Sequence, residues 1–194
     1  MTRIKLQYIV LIILIGLLGC TKAPALKIYS LEIPAVGVVH SSPYRSKSIK
    51  VAYPQSLKEQ VSQKMYFSYS SSDRGNYQNS EWSNSVSKLL QGTIIEVLDS
   101  SKLFKAVLFD TSTANEDYRL ESTVFAFSHS VRGSSSYALV SIQFNLIDTN
   151  TGRLVKSKRF SYREATSTAD ARGYAAATNV ALARLSRDLM AWLR

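Results

Sequence analysis

The clearest pattern in the chain lies in its C-terminal half. Ala138, Val140, Ile142, Phe144 and Leu146 alternate with Leu139, Ser141, Gln143, Asn145 and Ile147. Alternation with period two predicts a strand with one face in the core. Tyr118 to Val131 predicts a long strand before it, with a turn at Gly133–Ser136. Asp148-Thr149-Asn150-Thr151-Gly152 predicts a turn after it, with Gly152 free to take a positive φ. Arg153 to Arg163 then returns as the partner strand. Upstream, Lys27–Ile33, Ser48–Tyr53 and Lys64–Ser70 predict three strands, the second stopped by Pro54. Ser70–Asn79 is rich in Ser, Asp, Gly and Asn and predicts a loop. Trp82, Val86, Leu89, Leu90, Thr93 and Val97 fall on one side of a helix. Asn79 or Ser80 would cap it, and Glu81 would sit at the positive end of its dipole. Leu103–Phe109 predicts a short strand. Ser167-x-x-Asp170 opens a last helix running to Leu193, with Tyr174, Thr178, Leu182, Leu185, Leu189 and Trp192 on one stripe. The predicted order is β-β-β-α-β-β-β-β-α. Short hairpin connections favour an α/β (α+β) fold, a mostly antiparallel sheet with two amphipathic helices packed on one face.

The N-terminal stretch has a different pattern. Arg3 and Lys5 precede the uncharged run Tyr8–Leu18, which is too short to cross a bilayer and has the length of a signal-peptide core. It ends in Leu17-Leu18-Gly19-Cys20, which resembles the lipobox of bacterial lipoproteins. That divides the chain into a signal peptide (1–19), a lipidated tether (20–26) and one α/β domain (27–194). Cys20 is the sole cysteine, so acylation there consumes it and no internal disulfide can form. Two or more acyl chains anchor a protein stably. Thr21, rather than Asp, follows Cys20, and by analogy with the enterobacterial sorting rule this favours the periplasmic face of the outer membrane over the inner membrane.

The chain carries 24 Lys and Arg against 14 Asp and Glu, a net charge of +10. Loss of Arg3 and Lys5 with the signal peptide takes the balance to +8. An exported, tethered protein rarely meets nucleic acid, so this charge favours an anionic membrane surface instead. The main cluster is Arg153, Lys156, Lys158, Arg159 and Arg163. It reads either as an edge strand protected by charge or as a contact for lipid headgroups or an acidic partner segment. Candidate chemistry is sparse. The chain has no G-x-S-x-G elbow, P-loop or H-E-x-x-H, and its two histidines, His40 and His129, read as structural or solvated. Glu116-Asp117 reads as a pair of solvated turn carboxylates. No catalytic residue, metal site or cofactor is expected beyond the covalent lipid on Cys20.

Several segments together resemble a known family. After the lipobox come Tyr29-Ser30-Leu31 and Ile49-Lys50-Val51, then Trp82 opening a helix and Phe104 before a short strand. Tyr118-Arg119-Leu120 opens a long strand, Phe144-Asn145-Leu146-Ile147-Asp148 leads into Thr151-Gly152, and Trp192-Leu193 closes the last helix. This resembles the auxiliary lipoproteins of ABC-type transport systems, the group containing the outer-membrane lipoprotein of the paraquat-inducible intermembrane transport system. Glu81 departs from the basic residue that often precedes the Trp in that family. The resemblance implies a non-enzymatic subunit that partners an MCE-domain periplasmic protein and its inner-membrane ABC permease and ATPase. The cargo would be phospholipids or other hydrophobic molecules, and homo-oligomerisation stays open. Other envelope roles also remain: a lipopolysaccharide-transport plug, a peptidoglycan-synthase activator or a periplasmic hydrolase.

Overall fold

The computed structural model describes residues 24–56 and 62–194. The proposed signal peptide, Cys20 and the first part of the tether lie outside the described residues. Three long strands carry the fold: β7 (Tyr118–Arg132), β8 (Ser135–Asp148) and β9 (Arg153–Ala165). They form an antiparallel meander, β7 on β8 along almost its whole length and β8 on β9. The alternation in β8 sorts as predicted, with Ala138, Val140, Ile142, Phe144 and Leu146 all buried. Their cross-strand neighbours Leu120, Phe127, Phe160 and Tyr162 complete one apolar face. Gly133 and Gly152 take positive φ in the two connecting turns.

The other edge of β7 is shared by short strands. β2 (Ser48–Val51) pairs with residues 118–120, β3 (Gln55–Ser56) with 123–124 and β4 (Lys64–Ser68) with 129–130, all parallel. Beyond β2 lies β6 (Ala106–Phe109), and beyond β4 lie β5 (Arg74–Trp82) and then β1 (Lys27–Tyr29). The sheet is mostly antiparallel, with these parallel pairs at its N-terminal side. Two helices pack on it, α1 (Val86–Ser101) against β2 and β6 and α2 (Ala171–Leu193) against β8 and β9.

Residues 74–82 are a strand, not a loop running into a helix. Trp82 ends that strand, and α1 starts at Val86 behind Ser85, so neither Asn79 nor Ser80 caps it and Glu81 stands opposite Lys64 in the sheet. Arg-Gly-Asn-Tyr-Gln-Asn-Ser-Glu is poor in strand formers, and β5 is held by its two neighbours rather than by propensity. Gly75 lets the Phe67 ring lie against the strand, since a Cβ there would stand 2.7 Å from the ring and force it to shift. α2 begins as its sequence signals, though at Asp170, whose side chain accepts a hydrogen bond from the Gly173 N–H at 2.8 Å.

Candidate functional site

The pleat of β9 separates the basic cluster into two sets. Lys156 and Lys158 point toward α2. Lys156 is half-buried, its ammonium donating to the Trp192 carbonyl at 2.7 Å and lying 5.4 Å from the Trp192 ring centroid. Burial lowers its pKa. Lys158 is exposed, 4.9 Å above Phe160. Arg159 and Arg163 occupy the opposite face, where Arg159 stacks 3.4 Å above the Phe125 ring and Arg163 3.9 Å above Tyr137. Arg153 is exposed at the strand's start, opposite Asp148. Among the described residues β9 pairs only with β8, so it is a sheet edge there as well as a basic strip.

The face away from the helices holds a cleft of about 390 Å³. Two irregularities shape it. Phe125 is an extra residue in β7, where the register shifts between Val124 and Ala126; such bulges re-aim side chains outward. On the facing edge, among the described residues, 125–128 have no strand neighbour, because β3 stops at 124 and β4 joins at 129. Tyr66, Phe125, Ala126, Ser128 and Leu139 line the cleft, with Arg74 and Arg132 at one end. A second depression, bordered by Ser161 and Arg163, shares Ala126 and Leu139 with it.

The titratable groups are built into the scaffold. His129 is fully buried. Its Nδ1 meets Tyr77 Oη at 2.7 Å, its Nε2 meets Ser136 Oγ at 2.6 Å, and its ring stacks on Tyr174. Burial lowers its pKa, with Asp170 opposing the shift, so both nitrogens of a neutral ring are engaged. The Glu116 side chain is buried rather than solvated and meets Lys50 and Arg119 at 2.6 Å each. Burial pushes its pKa up, but the two cations outweigh that and leave it below the usual range. Asp117 is held at about 2 by the Ser48 N–H, then Lys47 and the Ser48 hydroxyl. These two carboxylates fasten the start of β7 to β2. Among the described residues no group of three His, Cys, Asp or Glu could hold a metal ion.

A family model described as ABC-type transport auxiliary lipoprotein component matches residues 29–190. The chain belongs to that family. No curated protein matches it. The ABC-type auxiliary lipoprotein fold is also seen in solved structures. The Xanthomonas campestris protein XCC0632 superposes with a TM-score of 0.76 at 22% identity, over 86% of this chain and 94% of its own. A second, uncharacterized protein superposes at 0.68 with 14% identity, over 88% of this chain and 100% of that one. The hypothetical protein CT253 of Chlamydia trachomatis gives 0.50 at 8% identity, over 76% and 95%. These likenesses concern the fold alone.

Family membership makes this an auxiliary lipoprotein of ABC-type transport, a protein of the cell envelope. No helix among the described residues is long and apolar enough to cross a membrane. The cations of β9 were visible in the sequence, but their partition over two faces was not. Phe125 and the cleft were missed altogether. Val124-Phe125-Ala126-Phe127 reads as an unbroken apolar run, and no periodicity marks the residue that bulges out.

Proposed function

We propose that this auxiliary lipoprotein is a non-enzymatic subunit of a transport system with an MCE-domain periplasmic conduit and an inner-membrane ABC permease and ATPase. It sits at the periplasmic face of the outer membrane, held by acyl chains on Cys20, and docks the far end of the conduit. Phospholipids or similar hydrophobic molecules are the cargo. The family match over residues 29–190 carries this reading. The occupied state of both His129 nitrogens supports a scaffold role for the chain's one buried imidazole. Arg153, Lys158, Arg159 and Arg163 are the proposed contact for an acidic partner surface or for headgroups, and charge of this kind mainly accelerates encounter. Lys156 supports that strip from beneath through its bond to Trp192.

The test is capture of the MCE protein from membranes, at low and high salt, by the wild type and by Lys158→Glu/Arg159→Glu/Arg163→Glu. Capture that falls with salt and falls again in the triple variant is expected, since screening acts on exposed charges. Capture of an outer-membrane barrel or a cell-wall synthase in place of the MCE protein would overturn the reading. Cys20→Ala tests the anchor. The variant should lose its acyl chains and stay uncleaved at the inner membrane, and an acylated variant in the outer-membrane fraction would sink the lipobox assignment.

A further inference from the structure

We infer that the cleft on the helix-free face of the sheet binds a single anionic phospholipid, with the phosphate between Arg74 and Arg132 and an acyl chain along Phe125, Ala126 and Leu139. The inference rests on the transport reading for the class of cargo, but the site itself is drawn from the geometry. Its floor is apolar where β7 and β8 meet, at Ala126 and Leu139, and Tyr66 and Phe125 wall it. A cleft of about 390 Å³ falls within the roughly 300–1,000 Å³ of small-ligand sites. The neighbouring depression toward Arg163 continues the same floor, giving a long molecule somewhere to extend.

Charge complementarity selects the headgroup. Arg74 and Arg132 line one end, and Arg159 and Arg163 stand along the rim over Phe125 and Tyr137. Among the described residues none of the four pairs with a carboxylate, whereas Lys47, Lys50, Arg119 and Arg184 elsewhere each do. Among the described residues no acidic side chain lines the cleft. Glu121, on the same face of β7, lies two side chains beyond Phe125 and away from the Arg74–Arg132 end. Guanidinium groups match phosphate oxygens with paired donors. The serine hydroxyls of Ser68, Ser70 and Ser130 lie toward that same end and can accept or donate to a phosphate or glycerol oxygen. An aliphatic floor with a cationic, hydroxyl-rich end fits an amphiphile better than it fits a wholly acidic peptide.

Photocrosslinking in the intact cell envelope tests this with the full chain. The photoreactive p-benzoylphenylalanine is placed at Leu139, or at Val180 on the exposed side of α2 as a control, in cells grown with ³²P-phosphate. The protein's own acyl anchor contains no phosphorus, so a light-dependent labelled band whose label phospholipase C removes reports a crosslinked phospholipid rather than phosphorylated lipopolysaccharide. Light-dependent label is expected at 139 and not at 180. Arg74→Glu/Arg132→Glu should reduce it about tenfold, the scale of lost charge-assisted bonds. Arg74→Gln/Arg132→Gln, a milder change that keeps the strand polar, should reduce it in the same direction. Equal labelling at 139 and 180 would mean simple nearness to membrane and would overturn the inference. So would an adduct with protein only, as an acidic partner segment would give. Either of these with intact capture of the MCE protein refutes the lipid site while leaving the transport reading standing.

Discussion

Trp82 shows how much one side chain holds. It is 1% exposed and packs edge-on against Phe127 and Tyr174, joining β5, β7 and α2. Truncating such a residue typically costs about 3–5 kcal/mol. Trp82→Ala should therefore lower the urea midpoint severely and reduce the steady-state level, while Trp82→Phe retains most of the packing. An alanine variant that melts like wild type would show that the Trp is not a core residue. Asp117 gives a prediction with a pH sign. Its carboxyl sits at about 2, against an ordinary value of 3.8, because the Ser48 amide and then Lys47 favour the charged form. The stability it contributes is complete above 3.8 and is lost as the pH falls through about 2. Acid unfolding followed by circular dichroism should steepen across that window, and Asp117→Asn should flatten it while lowering stability at neutral pH. An unchanged acid limb in the variant would remove Asp117 from the account.

At the scale of elements, α1 ends on an unusual residue. Lys102 is the C-cap, in the left-handed region at φ 55°, and it is the sole non-glycine there among the described residues. Glycine adopts that conformation without the Cβ clash. Lys102→Gly should raise stability by about 0.5–1 kcal/mol in thermal melts; a drop would mean that the surface pair with Asp99 outweighs the backbone term. β9 offers a second test. Lys156→Glu places a carboxylate against the Trp192 carbonyl and should destabilise, whereas Arg159→Glu and Arg163→Glu on the exposed face should barely move the melt. The same contrast explains what was legible in the sequence. β8 was legible because its whole length has one buried face, so the alternation is uninterrupted. α2 was legible because its stripe and its Asp170 cap agree. β5 was not, because its polar residues carry no period and its place is decided by β4 and β1. β3 is two residues long and leaves no pattern to read. For the candidate site, charge was legible residue by residue, but its distribution over two faces depends on bulges at Phe125 and between Leu146 and Ile147 that only the pairing reveals.

Across the whole molecule, the N-terminal strands pair with segments far along the chain. β1 lies on β5, β2 lies between β6 and β7, and the long ladders belong to β7, β8 and β9. Non-local parallel pairing of this sort is slow to form, since loop closure must precede its reward. Stopped-flow refolding should therefore run in milliseconds to seconds, and a microsecond phase that recovers all native signal would contradict this. The short ladder of β1 also has a mechanical meaning. Lys27–Tyr29 on Ser80–Trp82 is three residues long, and among the described residues it is the first pairing met by a force drawn through the chain from its N-terminal side. Behind it, the Ser83 N–H bond to the Tyr29 carbonyl, Leu31 in the core, the Glu32 N–H bond to Asn179 Oδ1 and the Val39–Ser101 backbone bond are among the restraints before β2. A load on that end is thus borne in series, weakest link first, and never reaches the β7–β8–β9 ladders until the leading segment has peeled away. Drawn with optical tweezers from that end, the protein should lengthen in a small step at low force, by up to about 3.3–3.6 Å per released residue, well before the main rupture. Its body would stay folded while its leash grows.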